Sequence, residues 1–306
     1  MSMNMKQLKY VLVLAEEGSF SRAAETLNIT QPSLSQYIKK IEKQLGVELF
    51  ERTNGDVRIT DAGRIYIEAG KKILDLEHQM ENAFSDLSEF KGGTVSIGIS
   101  PYRSVHLMPA VLREFNKSYP HIKLVVREKS GRDLIESAMH GEFDLCVIAL
   151  PVDEKLFNYE LIQKESVVIA ISKDSPLYST LRLAAKTDKN RRFPAVDIKV
   201  VQGKNFAVLK KYMPMRNLTD RILEDNNVQI NAKVEVSSNE ALLSIVESGV
   251  CASFIPSGLT NTSNDKVAFF SIKQNVELRD VAVVYRKEQY ISKPISDLIE
   301  IFKTVS

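Results

Sequence analysis

The hydrophobic period changes twice along the chain. In the first stretch, apolar positions recur at helical spacing in short runs. Leu8, Val11, Leu12 and Ala15 share one helical face, and Gly18 ends that helix. Ser19 can cap the next segment, Ser21 to Leu27. Asn28, Ile29 and Thr30 form a short turn. Pro32 then sits in a first helical turn, where its missing N–H is tolerated. A third helix is predicted from about Pro32 to Leu45, with Gly46 as its stop.

The third helix has two faces. Leu34, Ile38, Ile41 and Leu45 fall within about 60° of one another at 100° per residue. Gln36, Lys39, Lys40 and Lys43 project from the other side, and Glu42 lies off the centre of that polar face. Taken alone, this describes any solvated helix face. Its context is two short helices, a tight turn and a third helix that starts with serine and glutamine, which is the order of a helix-turn-helix. In the segment Leu49 to Thr60, Asn54-Gly55 marks a hairpin turn. The hairpin reads as a wing, from which Arg52 and Arg58 can reach backbone phosphate.

The period then lengthens. Ala62, Tyr66, Ala69, Ile73, Leu76, Met80, Ala83, Leu87 and Phe90 alternate spacings of four and three. This heptad seam predicts one helix about 40 Å long. The partner expected for the stripe is the same helix of a second chain; the alternative is a helix lying across its own C-terminal half. Lys91-Gly92-Gly93 breaks the pattern. Beyond it, apolar strands alternate with helices: Thr94–Ile99, Ile122–Val126, Phe143–Ala149 and Val167–Ile171, then Phe206–Leu209, Ala232–Val236, Cys251–Ile255 and Val281–Tyr285. That order predicts mostly parallel sheets in two α/β subdomains. The polar stretch Asp174 to Val200 receives no assignment.

Composition narrows the choices. A length of 306 residues suggests about two domains. With 44% hydrophobic and 26% charged residues, the chain is globular rather than disordered. The formal charge is +2, and residues 1–60 hold 8 Lys+Arg against 7 Asp+Glu, so net charge gives no indication of nucleic acid. Cys146 and Cys251 lie in apolar runs and read as buried free thiols, and the four histidines are scattered. No metal or cofactor is expected. Every apolar run falls short of the ~20 residues that span a membrane. The run Tyr10–Ala15 is followed by Glu16 and Glu17, unlike an export signal, so a cytoplasmic location is expected. A phosphate-cradling glycine loop, a GxSxG elbow, a HExxH pair and a CxxC pair are all absent, so no catalytic residue and no enzyme activity is expected. An exported solute-binding protein is disfavoured by the missing signal and the helix-turn-helix.

One family resemblance is definite. Ser19-Phe20, Ala23-Ala24, Leu27, Thr30-Gln-Pro-Ser33, Leu34-Ser35, Ile38, Ile41-Glu42, Leu45-Gly46, Leu49-Phe-Glu-Arg52 and Ile59-Thr-Asp-Ala-Gly63 resemble the DNA-binding signature of LysR-type transcriptional regulators. The resemblance implies a winged helix-turn-helix over 1–60, a dimerising linker helix over 61–90 and an effector-binding domain over 91–306. Leu107-Met-Pro109, Gly141-Glu-Phe-Asp144 and Phe254-Ile-Pro256 look like that effector domain. It is similar to periplasmic binding proteins of type 2, with subdomain I at 91–162 and 268–306 and subdomain II at 163–267.

Carried over by position, Gln31, Ser33, Ser35, Gln36 and Lys39 are the expected groove and phosphate contacts. Lys40, Arg52 and Arg58 are expected to support them at phosphate. The wing tip departs from the family, because Asp56 beside Asn54-Gly55 would repel DNA. The expected partners are a pseudo-palindromic double-stranded DNA site, a small-molecule effector, and further copies of the chain as dimer and tetramer. RNA polymerase is an additional partner the resemblance allows, and no membrane is expected.

Effectors in open parallel sheets bind beyond the carboxyl ends of strands. Ser100, Tyr102, Arg103 and Ser104 occupy one such loop, Lys129 and Ser130 a second, and Ala149 a third. Lys210, Met213 and Arg216 occupy a fourth, and Ser238 a fifth. Arg103, Lys129, Lys210, Lys211 and Arg216 can pair a carboxylate, so an anionic effector is expected. Each of these basic residues can equally be a solvated charge, and Ser100 a simple helix cap.

Overall fold

A computed structural model describes residues 4–53, 56–87, 92–129, 131–211, 213–261, 265–274 and 279–305. Helices α1 (Met5–Glu17), α2 (Phe20–Thr26) and α3 (Gln31–Leu45) precede the antiparallel pair β1 (Phe50–Thr53) and β2 (Asp56–Ile59). The α2–α3 turn is tight because Asn28 adopts φ 53°, a left-handed conformation that asparagine accepts more readily than most residues. Thr30 then caps α3 by accepting from the Ser33 N–H. Leu8, Val11, Leu14, Ala23, Leu34, Ile38 and Ile41 bury their side chains in one core, together with Leu49 and Phe50. The acidic residue on α3 serves the fold. Glu42 accepts from the backbone N–H groups of Leu49 (2.9 Å) and Phe50 (3.2 Å), which ties the hairpin to α3.

Helix α4 (Asp61–Leu87) grows directly from this unit. Thr60 accepts from the Gly63 N–H at 2.9 Å. A Cβ at Gly63 would meet the Leu49 carbonyl oxygen at 2.2 Å, so only glycine allows the helix to start this close to the hairpin. Tyr66 completes the N-terminal core, with Ile67, Ile73 and Leu74 packed against it. The long apolar seam expected from the sequence therefore divides. Tyr66 is buried within its own chain and Ile73 is partly buried there. Ala69, Leu76 and Met80 stay exposed, joined by Ile65 and Phe84, and Ala83 is half-buried. Phe90, the side chain of Leu87 and the Asn54-Gly55 tip lie outside the described residues.

The opposite side of α4 meets the C-terminal half of the same chain through polar groups. Lys71 donates to Glu142 (2.6 Å), His78 meets Asp144 (3.1 Å), and Arg286 grips Asp75 through both terminal nitrogens (2.5 and 2.6 Å). Burial alone would push the Glu142 carboxyl up, but hydrogen bonds from Lys129, Lys71 and Ser137 outweigh it and hold it at about 2. The hydrogen bond to Asp144 raises the His78 pKa above its ordinary value, against the opposing effect of burial. A raised folded-state pKa stabilises the docked helix fully below about 6.5, and that contribution is lost as pH rises through the raised value. Hydrogen exchange in residues 74–82, corrected for intrinsic rate, is therefore expected to be slower at pH 6 than at pH 9. A His78→Gln variant should flatten that difference; an equal pH difference in the variant would contradict the assignment.

Two sheets follow. The first comprises β3 (Gly93–Ile99), β4 (Ile122–Glu128), β5 (Leu145–Ala149), β6 (Phe157–Glu165) and, much later, β13 (Arg279–Arg286), in the order β4-β3-β5-β13-β6. Strands β3, β4 and β5 are parallel and β13 runs antiparallel to its neighbours. Helices α5 (Pro101–Ser118) and α10 (Lys293–Val305) cover one face, where Val111, Phe115, Leu298 and Phe302 pack on Ile97, Val147 and Val283. Helix α6 (Gly131–Met139) covers the other, with Leu134 packed against Cys146 and Val284.

The second sheet is built from β7 (Val167–Ser172), β8 (Ala195–Val196), β9 (Asn205–Leu209), β10 (Asn231–Val236), β11 (Ala252–Pro256) and β12 (Val267–Ile272), in the order β10-β9-β11-β7-β12-β8. Helices α7 (Pro176–Ala184), α8 (Pro214–Asp225) and α9 (Asn239–Glu247) belong to this unit. The chain crosses between sheets at 165–167 and again between 272 and 279. Both crossings fall later than the expected 162 and 268. Strand β6 continues until Glu165 pairs Arg279, and β12 pairs with β7 before the chain returns.

Candidate DNA-reading face and effector cleft

Packing decides which side of α3 faces outward. With Leu34, Ile38 and Ile41 buried, Gln36, Lys39 and Lys40 are left exposed, together with Gln31 in the first turn. Ser35 is half-buried, and the Ser33 hydroxyl lies 2.8 Å from that of Thr30 at the cap. Tyr37, which the sequence pattern did not single out, lies on the flank of this face with its ring edge-on to Tyr10 at 5.1 Å. Its signal was available, as an aromatic on the polar side of an amphipathic helix. Arg58 is exposed on β2, whereas the side chain of Arg52 lies outside the described residues. A helix with this outer face suits the major groove, where glutamine can pair the adenine edge and lysines can meet phosphates.

The second candidate region lies where α5 crosses to the other subdomain. Tyr102, on α5, is buried in the core of the second sheet. Its hydroxyl donates to Glu165 (3.3 Å), and a Cβ at Gly258 would meet the hydroxyl oxygen at 2.2 Å. Burial, followed by the charge of Glu165, pushes the phenol well above its ordinary pKa. Glu165 is only 1% exposed and also accepts from Arg103 (3.0 Å) and Arg279 (2.7 Å). This buried ionic cluster sits at the crossover between the subdomains.

In this geometry several of the expected effector contacts already have partners within the protein. Arg103 is committed to Glu165 inside the protein. Arg216 is committed to Asp220 (2.7 and 2.8 Å) and to the Leu209 carbonyl (2.6 Å). Lys129 turns away to Ser137 (2.6 Å) and Glu142 (2.7 Å), beside α4. Ser238 caps α9 by accepting from the Ala241 N–H. Each of these basic side chains folds back onto a nearby carboxylate, because an unpaired charge at such a position is costly. Ser130 lies outside the described residues. Ser100 stands at the α5 N-cap without capping a backbone N–H, Ser104 is half-buried on the next turn, and Ala149 ends β5. Lys210 is exposed and Met213 is half-buried at the start of α8.

Other groups in this region were not anticipated. His106 lies one turn beyond Tyr102, its ring edge-on at 5.1 Å, and it senses the charge of Glu240 on α9. Burial lowers its pKa. Arg103 Nε, His106 Nε2, Asn239 Oδ1 and Glu240 Oε1 are all buried without a hydrogen-bond partner among the described residues. Such groups are rare in folded proteins, because each costs about 1–3 kcal/mol. No sequence motif marks them, since α5 and α9 are far apart along the chain.

Other chemistries find little support among the described residues. Cys146 and Cys251 are buried, and burial pushes the Cys146 thiol up to about 12, far from thiolate reactivity. No cluster of three metal-type ligands occurs there, and no described helix is long and apolar enough to cross a membrane.

Comparison with known proteins accords with this architecture. Residues 5–64 match the model of the bacterial regulatory helix-turn-helix proteins of the lysR family, and residues 88–306 match the LysR substrate binding domain. The chain is 30% identical to the uncharacterized HTH-type transcriptional regulator YcgK of Bacillus subtilis (strain 168), over 98% of this chain and 94% of that protein. It is 27% identical to a probable RuBisCO transcriptional regulator of Synechocystis, over 94% of this chain and 82% of that protein. Among solved structures, a full-length OxyR variant from Pseudomonas aeruginosa superposes with a TM-score of 0.71 at 23% identity, covering 100% of this chain and 95% of that one. Full-length CbnR complexed with its target DNA gives 0.66 at 19% identity, covering 99% and 100%. With a winged helix-turn-helix ahead of a two-subdomain substrate-binding domain, the chain belongs to the LysR family of DNA-binding transcriptional regulators.

Proposed function

We infer that this regulator binds a pseudo-palindromic DNA site as a homodimer, reads it with α3, and changes its grip when a small molecule enters the cleft between α5 and α9. One observation carries the DNA-reading part: the inner face of α3 is fully packed, while Gln36, Lys39 and Lys40 face outward without a partner among the described residues. The solved complex of the similar chain CbnR with its target DNA supports DNA binding by a protein of this architecture. The exposed row Ile65, Leu76, Met80 and Phe84 supplies the seam for a second copy. Twofold pairing gives half-sites about one helical turn apart or a multiple of it.

The unpartnered cleft atoms support the effector part. Arg103 Nε is a hydrogen-bond donor, Asn239 Oδ1 is an acceptor, and Glu240 supplies negative charge. A ligand that satisfies both sides carries a hydrogen-bond acceptor toward Arg103 and a donor toward Asn239. Lys210, exposed just ahead of α8, can meet an acidic end. The anionic expectation thus narrows to small acids bearing a hydroxyl or amino group. Calorimetry with a panel of such acids tests this; binding only by neutral or cationic compounds would contradict it.

Two substitutions on α3 separate its roles. Gln36→Ala is expected to lower affinity for the cognate site by roughly 1–3 kcal/mol and to leave nonspecific binding unchanged. Lys39→Ala should weaken all sequences alike and reduce the salt dependence by about one phosphate contact. Titration on cognate and scrambled duplexes at several salt concentrations distinguishes them. Intact affinity in both variants would remove α3 as the reader.

A further inference from the structure

Two sides of α4 are held by different chemistry over overlapping stretches, residues 66–74 on one and 71–78 on the other. Toward the DNA-binding unit the contact is mainly apolar: Tyr66, Ile67, Ile73 and Leu74 join the N-terminal core, Gly70 gives Leu8 room to approach closely, and one long ion pair joins Lys9 to Glu77 (3.9 Å). Toward subdomain I, no α4 residue enters either apolar cluster that builds that subdomain. The contact there is polar: three charged pairings, Lys71 with Glu142, Asp75 with Arg286, and His78 with Asp144, and a hydrogen bond from the Tyr290 N–H to Gln79 (3.3 Å). An apolar contact resists sliding, because its packing has few alternatives. A set of ion pairs can open into water, where the separated charges are solvated.

The middle pairing is built for one geometry. Asp75 is 8% exposed and receives Arg286 through two nitrogens, the bidentate form that fixes direction as well as distance. Gly141 adopts φ 73°, and a Cβ there would meet the Asp75 carboxyl carbon at 2.4 Å. The turn that carries Gly141 therefore combines a left-handed backbone with the absence of a side chain, and both conditions let Asp75 seat. Asp144, just ahead of β5, is held by the Ser96 N–H and hydroxyl of β3 (both 2.7 Å), so His78 meets a fixed carboxylate.

We propose that Asp75, keyed against Gly141 and gripped by Arg286, is the centre of an ionic lock that sets the angle between the linker helix and the effector domain, and through which changes in the cleft reach the DNA-reading helices. The proposal rests on the regulator reading. Arg286 ends β13, whose first residue, Arg279, pairs with Glu165 at the subdomain crossover. A single strand thus connects the cleft cluster at one end to the lock at the other. Motion of one subdomain against the other pulls on β13, and the lock converts that pull into a change in helix angle.

The full-length protein and a duplex carrying the DNA that flanks its gene provide the test. Arg286→Ala is expected to raise hydrogen exchange at least tenfold in 70–82 and in 139–144, and to alter the spacing of protected segments in a hydroxyl-radical footprint. Affinity for a single half-site should stay within about twofold of the parent, because α3 is untouched. Arg286→Lys should restore exchange only in part. If Arg286→Ala unfolds, the double variant Lys71→Gln with His78→Gln weakens the same lock at more exposed positions and should give the same signs. Unchanged exchange in 70–82 would overturn the lock, and raised exchange with an unchanged footprint would overturn its role in transmission. Absence of any footprint by the parent protein would refute the DNA reading itself, while the exchange measurement would still judge the lock.

Discussion

Replacing Leu76 and Met80 together with glutamate is expected to split the proposed dimer and lower affinity for a two-half-site duplex by roughly 10²–10⁴-fold. Leu76 is 64% exposed and Met80 52%, and neither belongs to an intrachain apolar cluster. Fully burying a side chain of this kind against a partner contributes about 1.5–3 kcal/mol. Two such residues on each helix supply four buried side chains per dimer. Glutamates in their place would bring four carboxylates into one seam, where like charges repel. Once the dimer is lost, the second half-site no longer binds at high local concentration. Sedimentation should report a monomer, and titration on a single half-site should show little change. A variant that remains dimeric with full affinity would place the seam elsewhere.

The second large effect lies at the subdomain crossover. Glu165→Ala is expected to lower the stability of the effector domain by about 3–5 kcal/mol. Glu165 is almost fully buried and is the shared partner of Arg103 and Arg279. Without it, Arg103 keeps a buried positive charge with a long contact to Ser100 (3.4 Å) and the face of the Tyr102 ring (5.7 Å to its centroid). Arg279 is partly exposed and recovers some solvation, which favours the lower half of that range. Glu165→Gln retains the shape and part of the hydrogen bonding, so it should cost less. Urea unfolding, followed in the effector domain, measures both variants. A loss below about 1 kcal/mol for the alanine variant would mean that the cluster is more solvated than its geometry indicates.

These two sites differ in how far the sequence reveals them. The 4-3 spacing alone places Leu76 and Met80 on one helix stripe. The same spacing also places Tyr66 and Ile73 there, yet both serve the N-terminal core. Periodicity shows which residues share a face, not which partner covers it. The winged helix-turn-helix is legible because its packing is local: Leu34, Ile38 and Ile41 pack against helices within 35 residues. The cluster of Arg103, Glu165 and Arg279 joins three distant parts of the chain, and no local pattern encodes it. For the same reason, the commitment of Lys129 to Glu142 and of Arg216 to Asp220 is hidden in the sequence, where both side chains read as available for a ligand. Three strands are absent from the sequence reading: β6, β12 and the two-residue β8, which lies in the unassigned polar stretch. In β6, Leu161 is 48% exposed and blurs the alternation, and β12 follows a polar loop. Helix α7 lies in the unassigned polar stretch and buries only Leu181 fully, so its apolar face is narrow.

The most direct measurement is a hydroxyl-radical footprint of the full-length protein on the DNA flanking its gene, with and without a small-molecule extract of the cells that make it. A dimer reading DNA with two copies of α3 predicts two protected segments on one face of the duplex, about 10 base pairs or a multiple apart, whose pattern shifts when the extract is present. Uniform or absent protection by a protein confirmed to be dimeric would contradict it.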